Sequence, residues 1–214
     1  MKINKEIALE VAEILMQIKA IKLETQKSFT WASGWKSPIY CDNRKILSFP
    51  KTRNYVRQQF VNVIMENYGT PDVIAGVATG GIGHGVLVAQ DLGIPFCYVR
   101  TSEKKHGLEN KIEGYVEKGQ NVVIIEDLIS TGKSSLRVVD ALRDAGCHVK
   151  GMAAIFSYGF QVAQDMFEDA KCPLVVLSSY ENLIAKALEL DFVKEDEIAL
   201  LKEWRKDPAN WSGL

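Results

Sequence analysis

Apolar positions change their period along this chain, and each change marks an element. Ile7, Val11, Ile14, Leu15, Ile18 and Ile21 recur at helical spacing behind Asn4, a residue suited to cap a helix start, so the spacing predicts an opening amphipathic helix. The next stretch, KSFTWASGWKSPIYCDNRK (27–45), loses that period and becomes aromatic, polar and glycine-broken, which predicts loop and short strand. Helical spacing returns in SFPKTRNYVRQQFVNVIMENYG (48–69), with Pro50 near the first turn and Gly69 past the end.

From residue 72 the rhythm is different. Short apolar runs alternate with helical patterns: DVIAGVA (72–78), PFCYVR (95–100), NVVIIED (121–127), VKGMAAIFS (149–157) and PLVVLSS (173–179). Continuous Val/Ile runs leave no polar face, so they predict an α/β protein with a parallel sheet covered by helices on both sides. One connection, TSEKKHGLENKIEGYVEKGQ (101–120), is charged, glycine-containing and without sustained helical period. A structureless connection of that length in a compact domain predicts a functional loop, here a lid. KEDEIALLKEWRKDP (194–208) reads as a last helix stopped by Asp207-Pro208, and the tail after it carries no recognisable chemistry.

The bulk properties narrow the partners. At 214 residues and 47% hydrophobic, the chain can bury one sizeable core, which fits one domain over 1–214. Within it, residues 1–50 form an N-terminal helix and segment, 70–180 an α/β core, and 195–214 a terminal helix and tail. Twenty-six basic residues against 27 acidic ones give a net charge of −1 and no excess for nucleic acid or membrane, so a small molecule is the expected partner. Cys41, Cys97, Cys147 and Cys172 lie far apart with no C-x-x-C pair, against zinc and against a disulfide framework. That usage, and an N-terminus with acids among its apolar residues, predict a cytoplasmic protein.

The chemistry concentrates where a strand meets a helix. VVIIEDLISTGKSS (122–135) passes from branched apolar residues to Glu126 and Asp127, then to a small-polar turn before Leu136, Val139 and Leu142 resume helical spacing. Backbone N–H groups of Ser130 to Ser134, with the open donors and dipole of the helix start, suit a phosphate, and Ser130, Thr131 and Ser134 add hydroxyls. A P-loop would require glycine at the position of Asp127, so the Walker pattern fails. Two carboxylates inside a phosphate cradle would repel its ligand. Vicinal ribose hydroxyls or a hydrated Mg²⁺ are their expected partners.

GVATGGIGHG (76–85) is a second glycine cluster, placed to bring backbone to a second anion. It fits a dinucleotide turn poorly and leaves an NAD(P)-binding protein only a weak rival: Gly81-Ile82-Gly83 would need glycine where Val86 stands, and the second strand ends in Arg100-Thr101 rather than an acid. Arg100, Lys104, Lys105 and His106 put four potential cations within seven positions of the lid. Facing two anion cradles, such a lid can stabilise charge on a departing phosphate and exclude water. His84 and His148 lack a comparable setting and read as structural.

Together these residues resemble the type I phosphoribosyltransferases, whose signature is an apolar strand, two acids and a threonine- and glycine-containing loop, as in VVIIEDLISTGKS. A narrower resemblance, to the orotate phosphoribosyltransferases, rests on FTWASGWKSPIYCDNR (29–44), on VR…KKHG in the lid and on EDLISTGKS. It spans most of the chain from Phe29 to about Tyr158.

The resemblance implies the type I fold with a small N-terminal hood, Mg²⁺ bound through substrate and water rather than by direct protein ligands, and a homodimer whose lid reaches the neighbouring site. It implies pentosyl transfer from 5-phosphoribosyl 1-diphosphate to orotate, giving orotidine 5′-phosphate and pyrophosphate in pyrimidine synthesis. Residues 130–134, Gly132 and Lys133 among them, would then hold the 5-phosphate, and Leu128 and Ile129 join the set that binds 5-phosphoribosyl 1-diphosphate. Glu126 and Asp127 would hold ribose, and Ala78, Thr79 and Gly80 would line pyrophosphate. The expected catalytic set is Arg100, Lys104, Lys105 and His106 with Asp127.

Orotate is an anion, and Ser130, Lys36, Tyr40 and Arg44 are the candidates for it. The chain departs from the best-known bacterial pattern at Ala32, where that branch has lysine, at Tyr158 in IFSYG, where it offers arginine, and at Thr101, where it has a basic residue. The acidic pair alone would also suit a purine phosphoribosyltransferase, or a regulator that binds the ligand without turnover. The cationic segment distinguishes orotate from purine, and the basic lid distinguishes an enzyme from a regulator.

Overall fold

A strand with no polar position has to be buried on both faces, and the central sheet of this protein does that. The structure, a computed structural model, describes residues 1–31, 33–101 and 111–213. Helix α1 (Lys5–Gln17) is capped by Asn4, whose side chain accepts from the N–H groups of Glu6 and Ile7. Ile18 ends that helix, and Ile21 belongs to β1 (Ile21–Leu23) rather than to the helical stripe.

The aromatic segment forms two small antiparallel ribbons: β2 (Phe29–Thr30) with β3 (Lys36–Ser37), and β4 (Ile39–Cys41) with β1. A 3₁₀ turn (Asn43–Ser48) leads into α2 (Pro50–Tyr68). The remaining elements are β5 (Val73–Val77), α3 (Gly80–Leu92), β6 (Phe96–Val99), β7 (Ile112–Glu113), β8 (Asn121–Ile129), α4 (Lys133–Asp144), β9 (His148–Ser157), α5 (Gln161–Asp169), β10 (Leu174–Ser179), α6 (Tyr180–Glu189) and α7 (Glu195–Lys206).

Six strands form the main sheet in the order β10-β9-β8-β5-β6-β7, parallel except for β7. Alternate residues serve alternate faces. Ile74, Val123, Ile125, Ala153, Ile155, Val175 and Leu177 pack with α1, α2, α3, α6 and α7. Val73, Ala75, Val122, Ile124, Met152, Ala154 and Val176 pack with α4 and α5. This is the two-sided burial that the apolar runs predict, and every predicted strand lies within two residues of its predicted bounds.

The connection 101–120 is not structureless throughout. Ile112 and Glu113 pair antiparallel with Val99 and Tyr98, giving the parallel sheet one reversed edge. Two residues carry no period, so only the exposed edge of β6 selects them as strand. Lys104, Lys105 and His106 lie outside the described residues.

Candidate active site

In parallel sheets the carboxyl ends of the strands carry ligands, and here β5 and β8 end side by side. Pairing between them runs to Gly76↔Ile125, and both chains then leave the ladder toward a cleft of about 390 Å³. Val77, Ala78, Thr79 and Gly80 line one wall, with a cis Ala78–Thr79 peptide. Glu126, Asp127 and Leu128 line the opposite wall, Ser134 and Thr101 close the ends, and Cys41, Asp42 and Arg44 reach in from the N-terminal segment.

The two acids differ sharply. Glu126 is only 5% exposed; its Oε1 accepts from the Asp127 N–H at 3.0 Å and its Oε2 accepts from the Ser135 hydroxyl at 2.8 Å. Burial, reinforced by the Asp127 charge beside it, pushes the Glu126 carboxyl well above the ordinary carboxylate range. Asp127 is half-buried and turned to the opposite wall: a Cβ built on Gly80 would lie 2.2 Å from the Asp127 carboxyl carbon. Only glycine at position 80 leaves room for that carboxylate at the mouth of the second cradle.

Behind Asp127 the chain turns into α4 through Gly132, which has φ +80° and supplies no side-chain cap. A Cβ there would also meet Phe167 at 2.9 Å, so both conformation and packing call for glycine. α4 therefore starts without the side-chain acceptor that α1 and α6 receive from Asn4 and Ser179. Its first N–H groups have the geometry of an anion site. Ser130, Thr131, Gly132 and Lys133 follow Ile129 through this turn, although among residues 128–134 only Leu128 and Ser134 line the cleft itself.

The other glycines of GVATGGIGHG do something else. Gly80 begins α3, and Cβ atoms on Gly76, Gly81 and Gly85 would collide with Gly81 O, Ile125 O and the Phe96 ring at 2.9, 2.3 and 2.6 Å. The cluster lets a helix lie almost on the sheet, and only its Val77–Gly80 part lines the cleft.

The candidates for a carboxylate-bearing base separate. Arg44 lines the cleft with its side chain 61% exposed and pairs with Asp42 at 2.6 Å, which holds the Asp42 carboxyl below its usual range. Lys36 is exposed on the β2–β3 ribbon, donating to the Thr30 hydroxyl at 2.8 Å, and does not line this cleft. Tyr40 rests on Phe29, next to the cleft-lining Cys41. Arg100 pairs with Glu113 on β7 at 2.9 Å, beside Thr101.

Three functional features have no sequence signal of their own. Asn43 is buried and donates to the Asp127 carbonyl, Cys41 shares the cleft, and Arg205 on the last helix donates to the carbonyls of Tyr158 and Gly159. A guanidinium thus does reach the turn after β9, but from α7. His84 is buried and held neutral by desolvation, whereas His148 is exposed at the start of β9.

Comparison with known proteins agrees with this geometry. A family model described as "Phosphoribosyl transferase domain" matches residues 45–185. The orotate phosphoribosyltransferase of Bacteroides fragilis is 56% identical over 200 residues, covering 94% of each chain, and that of Porphyromonas gingivalis is 50% identical over 94% of this chain and 96% of its own. The crystal structure of orotate phosphoribosyltransferase from Aeropyrum pernix superposes with a TM-score of 0.75 at 25% identity, covering 86% of this chain and 99% of that one. The chain belongs to the phosphoribosyl transferase family and, within it, to the orotate phosphoribosyltransferases.

Proposed function

We propose that this cleft transfers the 5-phosphoribosyl group of 5-phosphoribosyl 1-diphosphate to orotate, yielding orotidine 5′-phosphate and pyrophosphate. The observation that carries the reading is the position of Asp127. Its carboxylate stands between the uncapped start of α4 and the Gly80 end of the second cradle, where a ribose joining two phosphate groups would present its hydroxyls. Ser130–Ser134 and the first N–H groups of α4 take the 5-phosphate, and Ala78–Gly80 take the diphosphate. Both Glu126 oxygens already accept hydrogen bonds, so Asp127 meets the ribose first.

A ring nitrogen of the base attacks the anomeric carbon and gives up its proton to the departing pyrophosphate or to water, the bond to the diphosphate oxygen breaks, and both electrons of that bond leave with pyrophosphate. Negative charge grows on the leaving group, and Arg100, Lys104, Lys105 and His106 are the cations assigned to it; donors aimed at developing charge contribute about 2.7–4 kcal/mol each. Ser130, Tyr40 and Arg44 are assigned to orotate, with Lys36 an outer candidate that needs the β2–β3 ribbon to move.

Mg²⁺ would be held through substrate and water rather than by direct protein ligands, with the half-buried Asp127 carboxylate at the cleft wall placed to accept from its water shell, and no group of three or more metal-ligating side chains occurs among the described residues. When bound it would neutralise diphosphate charge. We further propose a homodimer sharing the 101–120 lid between sites, and a cytoplasmic location. Four free thiols suit a reducing compartment, and among the described residues no helix is long and apolar enough to cross a membrane.

The test offers orotate, uracil, adenine and hypoxanthine separately with 5-phosphoribosyl 1-diphosphate and Mg²⁺, each repeated with EDTA. Loss of orotate absorbance only with metal, and no turnover of the other bases, is the expected result. Turnover of a purine would move the base assignment, and no turnover of any base would leave a ligand-binding regulator.

A further inference from the structure

Asn43 is a buried amide with no exposed surface, set in a segment whose neighbours Asp42 and Arg44 face the cleft. Each side of it is tied to a different element. Its Nδ2 donates to the backbone carbonyl of Asp127 at 2.6 Å, across 84 positions of sequence. Its Oδ1 accepts from the Cys41 thiol at 3.3 Å.

A core that needed only volume here would use an apolar side chain, because a buried amide is tolerated only when its hydrogen bonds are met. What the amide adds is a fixed position. Cys41 to Arg44 is the part of the N-terminal segment that reaches the cleft, and Asp127 is the carboxylate facing the opposite wall. Asn43 connects these two with one direct hydrogen bond.

We propose that Asn43 is a positioning residue that sets the base-holding segment against the ribose-holding strand, so that base nitrogen and anomeric carbon meet at reacting distance. This rests on the functional reading above. Reacting groups must lie about 3–3.5 Å apart in line, and a displacement of about 1 Å costs on the order of 10²-fold in rate. Asn43 touches neither reactant. Its effect is confined to the step that needs both halves aligned.

Transfer to water supplies the control, since slow hydrolysis of 5-phosphoribosyl 1-diphosphate uses the ribose and phosphate sites but no base. Asn43→Asp keeps the shape, removes the donor and sets a carboxylate against the Asp127 carbonyl. We expect transfer to orotate to fall by on the order of 10²-fold, with hydrolysis and the calorimetric Kd for the diphosphate substrate near wild-type values. Asn43→Ser, which is too short to keep the bond to the Asp127 carbonyl and adds no charge, is the milder variant should Asn43→Asp not fold. It should lower transfer about twofold to tenfold, again with hydrolysis spared, as expected for one hydrogen bond. Equal loss of transfer and hydrolysis in the folded variants would make Asn43 a merely structural group and overturn the proposal. A wild-type protein that hydrolyses the diphosphate substrate yet never uses orotate would instead remove the functional reading, and this inference with it.

Discussion

Adjacent residues of one type can carry opposite roles when their surroundings differ, and Glu126 and Asp127 are such a pair. Glu126 is buried on Ser135 and on its neighbour's N–H, with its proton affinity raised; Asp127 is half-buried at the cleft. The sign of the stability effect follows from the direction. A carboxyl whose folded pKa lies above its unfolded value holds its proton better in the native state, so stability is full below the unfolded pKa and declines as pH rises toward the folded one. Glu126→Gln, which cannot ionise, should therefore match wild type near pH 4 and exceed it increasingly toward pH 8, at about 2–4 °C of Tm per kcal/mol. Parallel melting curves with a constant difference across that range would show that Glu126 is not the group responsible. The pair itself is legible as VVIIED, because a hydrophobic strand running into two acids and a glycine turn is a local pattern. Their division is not, since it depends on Ser135 nine positions on, in the first turn of α4, and on Gly80 at the start of α3.

At the scale of elements, the same limit explains which readings came through intact. Strands buried on both faces write their burial into consecutive residues, so β5, β8, β9 and β10 can be read from composition alone. β7 is too short to write anything, and α6, which follows β10 directly with Ser179 as its cap, carries its signal over only ten residues. The glycines of α3 mislead for a physical reason: a glycine that admits an anion and one that admits a neighbouring strand look alike in sequence. Substitution separates them. Gly81→Ala drives a Cβ to 2.3 Å from the Ile125 carbonyl, a backbone atom that cannot move without shifting β8, whereas Gly83→Ala meets only the end of the Leu47 side chain at 2.7 Å. We expect Gly81→Ala to cost about 1–3 kcal/mol or more and Gly83→Ala to cost less, since Leu47 can change rotamer. Chemical denaturation would measure both, and an equal loss would mean that α3 can lift off the sheet.

Over the whole molecule, the C-terminal helix gives the N-terminal segment its place. Nothing in KEDEIALLKEWRKDP announces this, because the partners of α7 lie about 170 positions earlier in the chain, beyond any local period. At its start Glu197 accepts from the Thr25 hydroxyl; near its end the Trp204 indole donates to the Lys36 carbonyl at 3.1 Å. Trp204 is fully buried against Trp31, Tyr158, Phe160 and Tyr180, while Arg205 holds the Tyr158–Gly159 turn. The Tyr158 N–H in turn donates to the Ile129 carbonyl, immediately before the 130–134 turn. The β2–β3 ribbon thus rests on an aromatic cluster that α7 closes from outside. Trp204→Phe keeps most of the ring and removes the indole donor, leaving the Lys36 carbonyl without that bond at a cost of about 1–3 kcal/mol. If α7 acts through the ribbon, KM for orotate should rise several-fold more than KM for 5-phosphoribosyl 1-diphosphate. A parallel rise in both would mean that α7 stabilises the molecule uniformly, and an unchanged KM for orotate would free the base-holding segment from any dependence on the ribbon.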